Sequence, residues 1–112
     1  MSSTEREASR VAAIEAATAV LEGRLGIIEG CRRLSSLAQD FLPGCHLDED
    51  FVVFVVVDSE TDALPTGAGR AYWDPVALGR EEEKIQRAEA MYRDEVVSAC
   101  RKVVSRLKEA QF

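Results

Sequence analysis

Phe51-Val52-Val53-Phe54-Val55-Val56-Val57, running straight into Asp58-Ser59-Glu60-Thr61-Asp62, decides how this chain is read. Seven consecutive apolar residues, five of them Val, are followed by three carboxylates at alternate positions. Valine is stiff at its β-carbon and fits a pleated surface better than a helical turn. A run of this length, bounded by acidic and turn-forming residues, suits a strand buried on both faces. Phe51, Val53, Val55 and Val57 would then face one side, and Val52, Phe54 and Val56 the other. Burying all seven would contribute roughly 10–20 kcal/mol of gross transfer free energy. Each backbone group left unpaired would cost about 1–3 kcal/mol, so the strand needs a neighbour. Gly69-Arg70-Ala71-Tyr72-Trp73 is the local candidate, returning after the Pro65–Gly69 turn region. The same strand of a second copy is another, because a two-fold axis makes antiparallel pairing self-complementary. The competing reading is a helix capped by Asp48, with Glu49 and Asp50 in its first turn.

The flanking elements read as helices. Val11, Ile14, Thr18, Leu21, Leu25 and Ile28 recur at intervals of three and four, after a cap at Ser3 or Thr4. A break near Gly23 separates a second helix that runs to about Gln39, with Leu25, Ile28, Cys31, Leu34, Leu37, Ala38 and Phe41 on its apolar face. Arg24, Arg32 and Arg33 lie largely off that face; the Arg32-Arg33 pair is either a solvated patch or a grip for an anion. Asp74 and Pro75 mark a helix start, with a short turn before Gly79. The last thirty residues form the longest helix, on Ile85, Ala88, Tyr92, Val96, Ala99, Val103 and Leu107. The expected fold is one domain, residues 1–112, of the α+β class and mostly helical. Three main helices surround one strand at about 51–57, with a short second strand as an option at about 69–73. The alternative is an all-α bundle.

Charge is informative once it is located. The chain holds 20 acids and 14 bases, a net of −6. Residues 47–69 carry six acids and no Lys or Arg, and the remainder is balanced at 14 against 14. The negative excess therefore flanks the 51–57 run, repelling nucleic acid and favouring a basic partner or a cation. No apolar run approaches the roughly eighteen residues of a membrane span. The N-terminus lacks an apolar signal core, and three widely spaced cysteines fit a reducing compartment, so a cytoplasmic location is expected.

Catalytic and metal patterns are incomplete. Asp58-x-Glu60-x-Asp62 begins like a calcium loop, but its sixth position is Ala63 and its twelfth is Gly69. His46 is the sole histidine, and with Cys45, Asp48 or Asp50 it matches no recurrent zinc spacing. No nucleophile elbow occurs, and Gly67-Ala68-Gly69-Arg70 is only half of a phosphate cradle. No cofactor is implied, and the reading leans against an enzyme. Arg70, Tyr72 and Trp73 are residue types that dominate binding hot spots. Trp73 also suits a second role, covering the core against the long helix.

Gly30-Cys31-Arg32-Arg33-Leu34, Asp58-Ser59-Glu60-Thr61-Asp62-Ala63-Leu64-Pro65-x-Gly67, Trp73 with Ala77-Leu78, and Ala99-Cys100-Arg101 together resemble a family of small bacterial proteins usually labelled hypothetical. The resemblance spans about residues 20 to 104 and is most specific at Asp-Ser-Glu-Thr-Asp…Leu-Pro. It implies no activity, and it draws attention to residues 58–67 as a functional element.

The expectation is thus a non-catalytic interaction protein whose acidic rim (Asp48, Asp50, Asp58, Glu60 and Asp62), with Arg70 and Trp73, meets a basic surface on a protein partner. An immunity- or antitoxin-like protein is one form of this. A homodimer formed through the strand or a helix face is also expected. The rival expectation is a small ligand- or metal-dependent enzyme or sensor using residues 58–70.

Overall fold

The computed structural model describes residues 2–66 and 72–109, and among them there is no strand. Four helices follow one another: α1 (Ser3–Leu21), α2 (Ile27–Phe41), α3 (Val52–Glu60) and α4 (Pro75–Glu109). A 3-10 turn at Cys45–Leu47 links α2 to α3. The α+β expectation is overturned, and the architecture is the all-α alternative.

The correction centres on 51–57, which is helical from Val52 onward, with Phe51 at the N-cap. Phe51, Phe54 and Val57 are fully buried, and Thr61 is 3% exposed. Their spacing of three and four is a helical stripe. It was hidden because valine also fills the positions between. A helix satisfies its backbone groups within the segment, which removes the need for a pairing strand. The optional strand at 69–73 is not formed either: Tyr72 and Trp73 lie in a turn, and 69–71 fall outside the described residues. With no strand edge at 51–57, dimerisation by strand pairing has no basis. The count of three main helices becomes four, because the 51–57 run supplies the extra one.

The remaining boundaries follow from local chemistry. Ser2 Oγ accepts from the Glu5 N–H at 3.2 Å and caps α1. Gly23, at φ +77°, turns the chain out of α1 as the glycine break anticipates. Asp74 Oδ2 accepts from Val76 and Ala77 N–H, each at 3.1 Å, and starts α4. From there α4 continues through Gly79 without interruption, so the short turn expected before Gly79 is its first turn.

The α1–α2 hairpin packs closely because its contacts are small. Ala13, Ala16 and Ala17 are buried on α1, and a Cβ added at Gly30 of α2 would run into Val20 Cγ2. Ser9 Oγ donates to Asp40 across the pair at 2.6 Å. The hairpin's other face receives Val96, Cys100, Val103 and Leu107 of α4 and Phe54 and Val57 of α3 in one core. Phe51 stacks edge-on against both Phe41 and Phe54, with ring centroids 5.9 Å apart in each case. With 35 residues, α4 is about 50 Å long. That matches the 47 Å long dimension of the molecule, and none of residues 75–84 is buried.

Candidate functional site

Helix α3 is apolar on every side for its first six residues, yet only Phe54 and Val57 within it are buried. Val53 and Val55 pack partly against the core. Val56 is 44% exposed, and Val52, one turn earlier, is half-buried. A helix that is hydrophobic all round is normally enclosed. Here nine residues, about 13 Å of helix, leave Val56 uncovered.

The acidic residues singled out in the sequence sit at the two ends of this helix. Asp48 and Asp50, ahead of α3, both accept from Arg106 Nη1, at 2.8 and 3.1 Å. The Arg106 guanidinium also lies over the Phe51 ring, 5.6 Å from its centroid. Asp48 Oδ1 accepts from the Asp50 N–H at 2.9 Å, but α3 starts later than the helical reading expects: Phe51 is its N-cap, with no side-chain cap, and Glu49 and Asp50 precede the first turn. The Arg106 hydrogen bond holds the Asp48 carboxyl below the usual carboxylate range. Partial burial opposes that shift, and the N–H groups of Asp50 and Phe51 support it.

At the far end, Arg32 of α2 gathers the chain leaving α3. It donates to the Thr61 carbonyl, to the Leu64 carbonyl at 2.8 Å and to Thr66 Oγ1 at 2.6 Å. Asp58 lies 3.7 Å from the same guanidinium. Glu60 accepts from the Tyr92 hydroxyl, and Asp62 is exposed. The five carboxylates therefore form two groups, one at each end of α3, with the exposed Val56 between them. Trp73 is 37% exposed at the start of α4, and Arg70 lies outside the described residues.

Between α3 and α4 runs a trough of about 390 Å³ whose lining includes Glu49, Asp50, Val53, Asp94, Glu95 and Lys102. Four carboxylates face one lysine there. It continues into an open hollow of about 550 Å³ beside Ser105, Arg106 and Glu109. Glu49, Asp94, Glu95, Arg32 and Arg106 are the residues the sequence reading did not place in the site. The available signal was Asp94-Glu95, an acidic step amid the basic residues of α4.

The arrangement offers carboxylates and an exposed valine for electrostatic and apolar contact. Among the described residues, no group of three or more His, Cys, Asp or Glu could hold a metal ion. His46 is exposed, whereas its neighbour Cys45 is buried, so the adjacent pair points to different environments. Burial, with Cys100 and Asp58 nearby, pushes the Cys31 thiol up to about 12. Burial alone pushes Cys100 up to about 12. Both stay protonated at neutral pH, which removes them as nucleophiles. No helix among the described residues is long and apolar enough to cross a membrane.

No curated protein and no solved structure matches the chain. A family model described as "Protein of unknown function (DUF2489)" matches residues 2–103, which takes in α1, α2, α3 and most of α4. The chain belongs to that family.

Proposed function

We propose that this protein is a non-catalytic, cytoplasmic interaction module that docks a protein partner through the outer side of α3. The observation that carries the reading is the valine excess of α3. Val56 faces solvent and Val52 is half-buried, on a helix that buries Phe54 and Val57 and packs Val53 and Val55 partly against the core. An apolar strip between two carboxylate groups has the anatomy of an interface, with an apolar centre and a charged rim. The rim sign selects a basic partner, because Glu49, Asp62, Asp94 and Glu95 have no ion-pair partner among the described residues. An immunity- or antitoxin-like protein that neutralises a basic toxin is one concrete form.

The test compares tagged wild type with Val56→Asp and with Asp62→Asn/Glu95→Gln in capture from native lysate. The expected result is a basic protein retained by the wild type, lost by Val56→Asp and released at lower salt from the double variant. Equal retention by all three would refute docking at α3. A cation or metabolite that raises the melting temperature, with no protein retained, would transfer the site to the 58–66 segment.

A further inference from the structure

Arg87, Met91 and Glu95 follow one another at four-residue steps along one side of α4, so they share a face. Met91 is 72% exposed. Arg87 is exposed and donates only to the Glu83 carbonyl of its own helix, at 3.3 Å. Glu95 and its neighbour Asp94 are exposed, and neither has an ion-pair partner among the described residues. Two hollows lie along α4, one before Met91 and one after it. One, of about 360 Å³, is lined by Glu83, Gln86, Arg87 and Ala90. The other is the trough of about 390 Å³ that includes Asp94, Glu95 and Ser98.

Opposite charges placed evenly about an uncovered apolar residue are self-complementary under a two-fold axis. A second α4 laid antiparallel, Met91 against Met91, sets Arg87 of each copy beside Glu95 of the other, since both stand four residues from the axis. We infer that this chain pairs with a second copy of itself through the outer face of α4, centred on Met91, with reciprocal Arg87–Glu95 ion pairs.

The charges select this occupant. A uniformly basic partner would leave Arg87 facing its own sign, and an acidic one would do the same to Asp94 and Glu95. An antiparallel copy satisfies both at once. Lys84 comes opposite Ser98, a neutral neighbour. Arg80 and Lys102 meet about 16 Å from the axis, where crossing helices have splayed apart. This face shares Asp94 and Glu95 with the rim beside α3 but does not use Val56, and the inference does not rest on docking there. With one apolar centre and exposed ion pairs, the dimer is weak and salt-sensitive.

Sedimentation equilibrium of the full chain at low salt, from about 10 µM to about 1 mM, reads the association directly. Wild type is expected to dimerise within that range. Arg87→Glu and Glu95→Lys, each confirmed folded by circular dichroism, are each expected to weaken association about tenfold or more. The double variant Arg87→Glu/Glu95→Lys is expected to recover it. An equimolar mixture of the two single variants is expected to form a one-to-one heterodimer, because opposite charges then meet at both pairs. A wild type that stays monomeric throughout would overturn the inference. So would single variants that associate like wild type, or a double variant and mixture that remain monomeric. The capture by α3 is read through Val56→Asp, which leaves Arg87, Met91 and Glu95 intact, so either proposal can fail alone.

Discussion

The two ends of α3 are each held by an arginine, and they are held differently. At the N-terminal end Arg106 of α4 meets two carboxylates, Asp48 and Asp50, and covers the Phe51 ring. At the C-terminal end Arg32 of α2 meets mainly backbone: the Thr61 and Leu64 carbonyls, with Thr66 and Asp58 beside them. The first clasp neutralises charge that an exposed carboxylate could also leave to water. The second gives the Leu64 carbonyl its donor and adds one to the Thr61 carbonyl, which also accepts from the Leu64 N–H at 3.0 Å, so its loss leaves the Leu64 carbonyl unserved. The difference teaches that the acidic segment after α3 is shaped from α2, whereas the segment before α3 is tied to α4. A nine-residue helix is thereby fixed from both sides while Val56 stays open to solvent.

The largest effect is expected from removing the footing common to both clasps. Phe54→Ala deletes a fully buried ring stacked on Phe51 and should cost about 3–5 kcal/mol in chemical denaturation. Next comes Arg32→Ala, at about 2–4 kcal/mol, with faster amide exchange confined to the 58–66 segment. Arg106→Ala should cost less, about 1–3 kcal/mol, because Asp48 and Asp50 regain water and only the ring contact is wholly lost. If the order of these two arginines were reversed, the distinction between a backbone clasp and a charge clasp would collapse. Gly30→Ala should cost about 1–2 kcal/mol net: its methyl group runs into Val20, and the gain in helix propensity offsets only part of that. Pairing it with Val20→Ala should recover much of the melting temperature lost by Gly30→Ala alone.

The smallest effect separates the clasps by pH. Asp48 has its folded pKa lowered chiefly by Arg106. Its contribution is therefore complete above the unfolded carboxylate value of about 3.9 and is lost as pH falls through the lower folded value. Melting temperature should fall as pH drops below about 4, and Arg106→Ala should flatten that part of the profile.

Much of this arrangement was legible where one periodicity dominates. Ile85, Val96, Val103 and Leu107 on α4, and Cys31, Leu34, Ala38 and Phe41 on α2, are buried as their spacing requires. Helix α3 was misread because valine occupies both its inner and outer positions, so no polar residue marks the solvent side. Only Phe51, Phe54 and Val57, aligned with Thr61, disclose the period. Arg32 sits off the apolar face of α2, as expected, but its acceptors are backbone oxygens some thirty residues onward, which have no signature in residue type. Arg106 and its carboxylates lie 56 and 58 positions apart, and only the folded chain brings them together.

The most direct test of α3 as a docking face is a photo-crosslinking side chain placed at Val56 in the native cell, with Glu15 of α1 as a control position. Both residues are exposed, so each reports what lies against its own helix. The account predicts a discrete covalent adduct with a basic protein from position 56 and none from position 15. No adduct from position 56, or the same adducts from both positions, would contradict it.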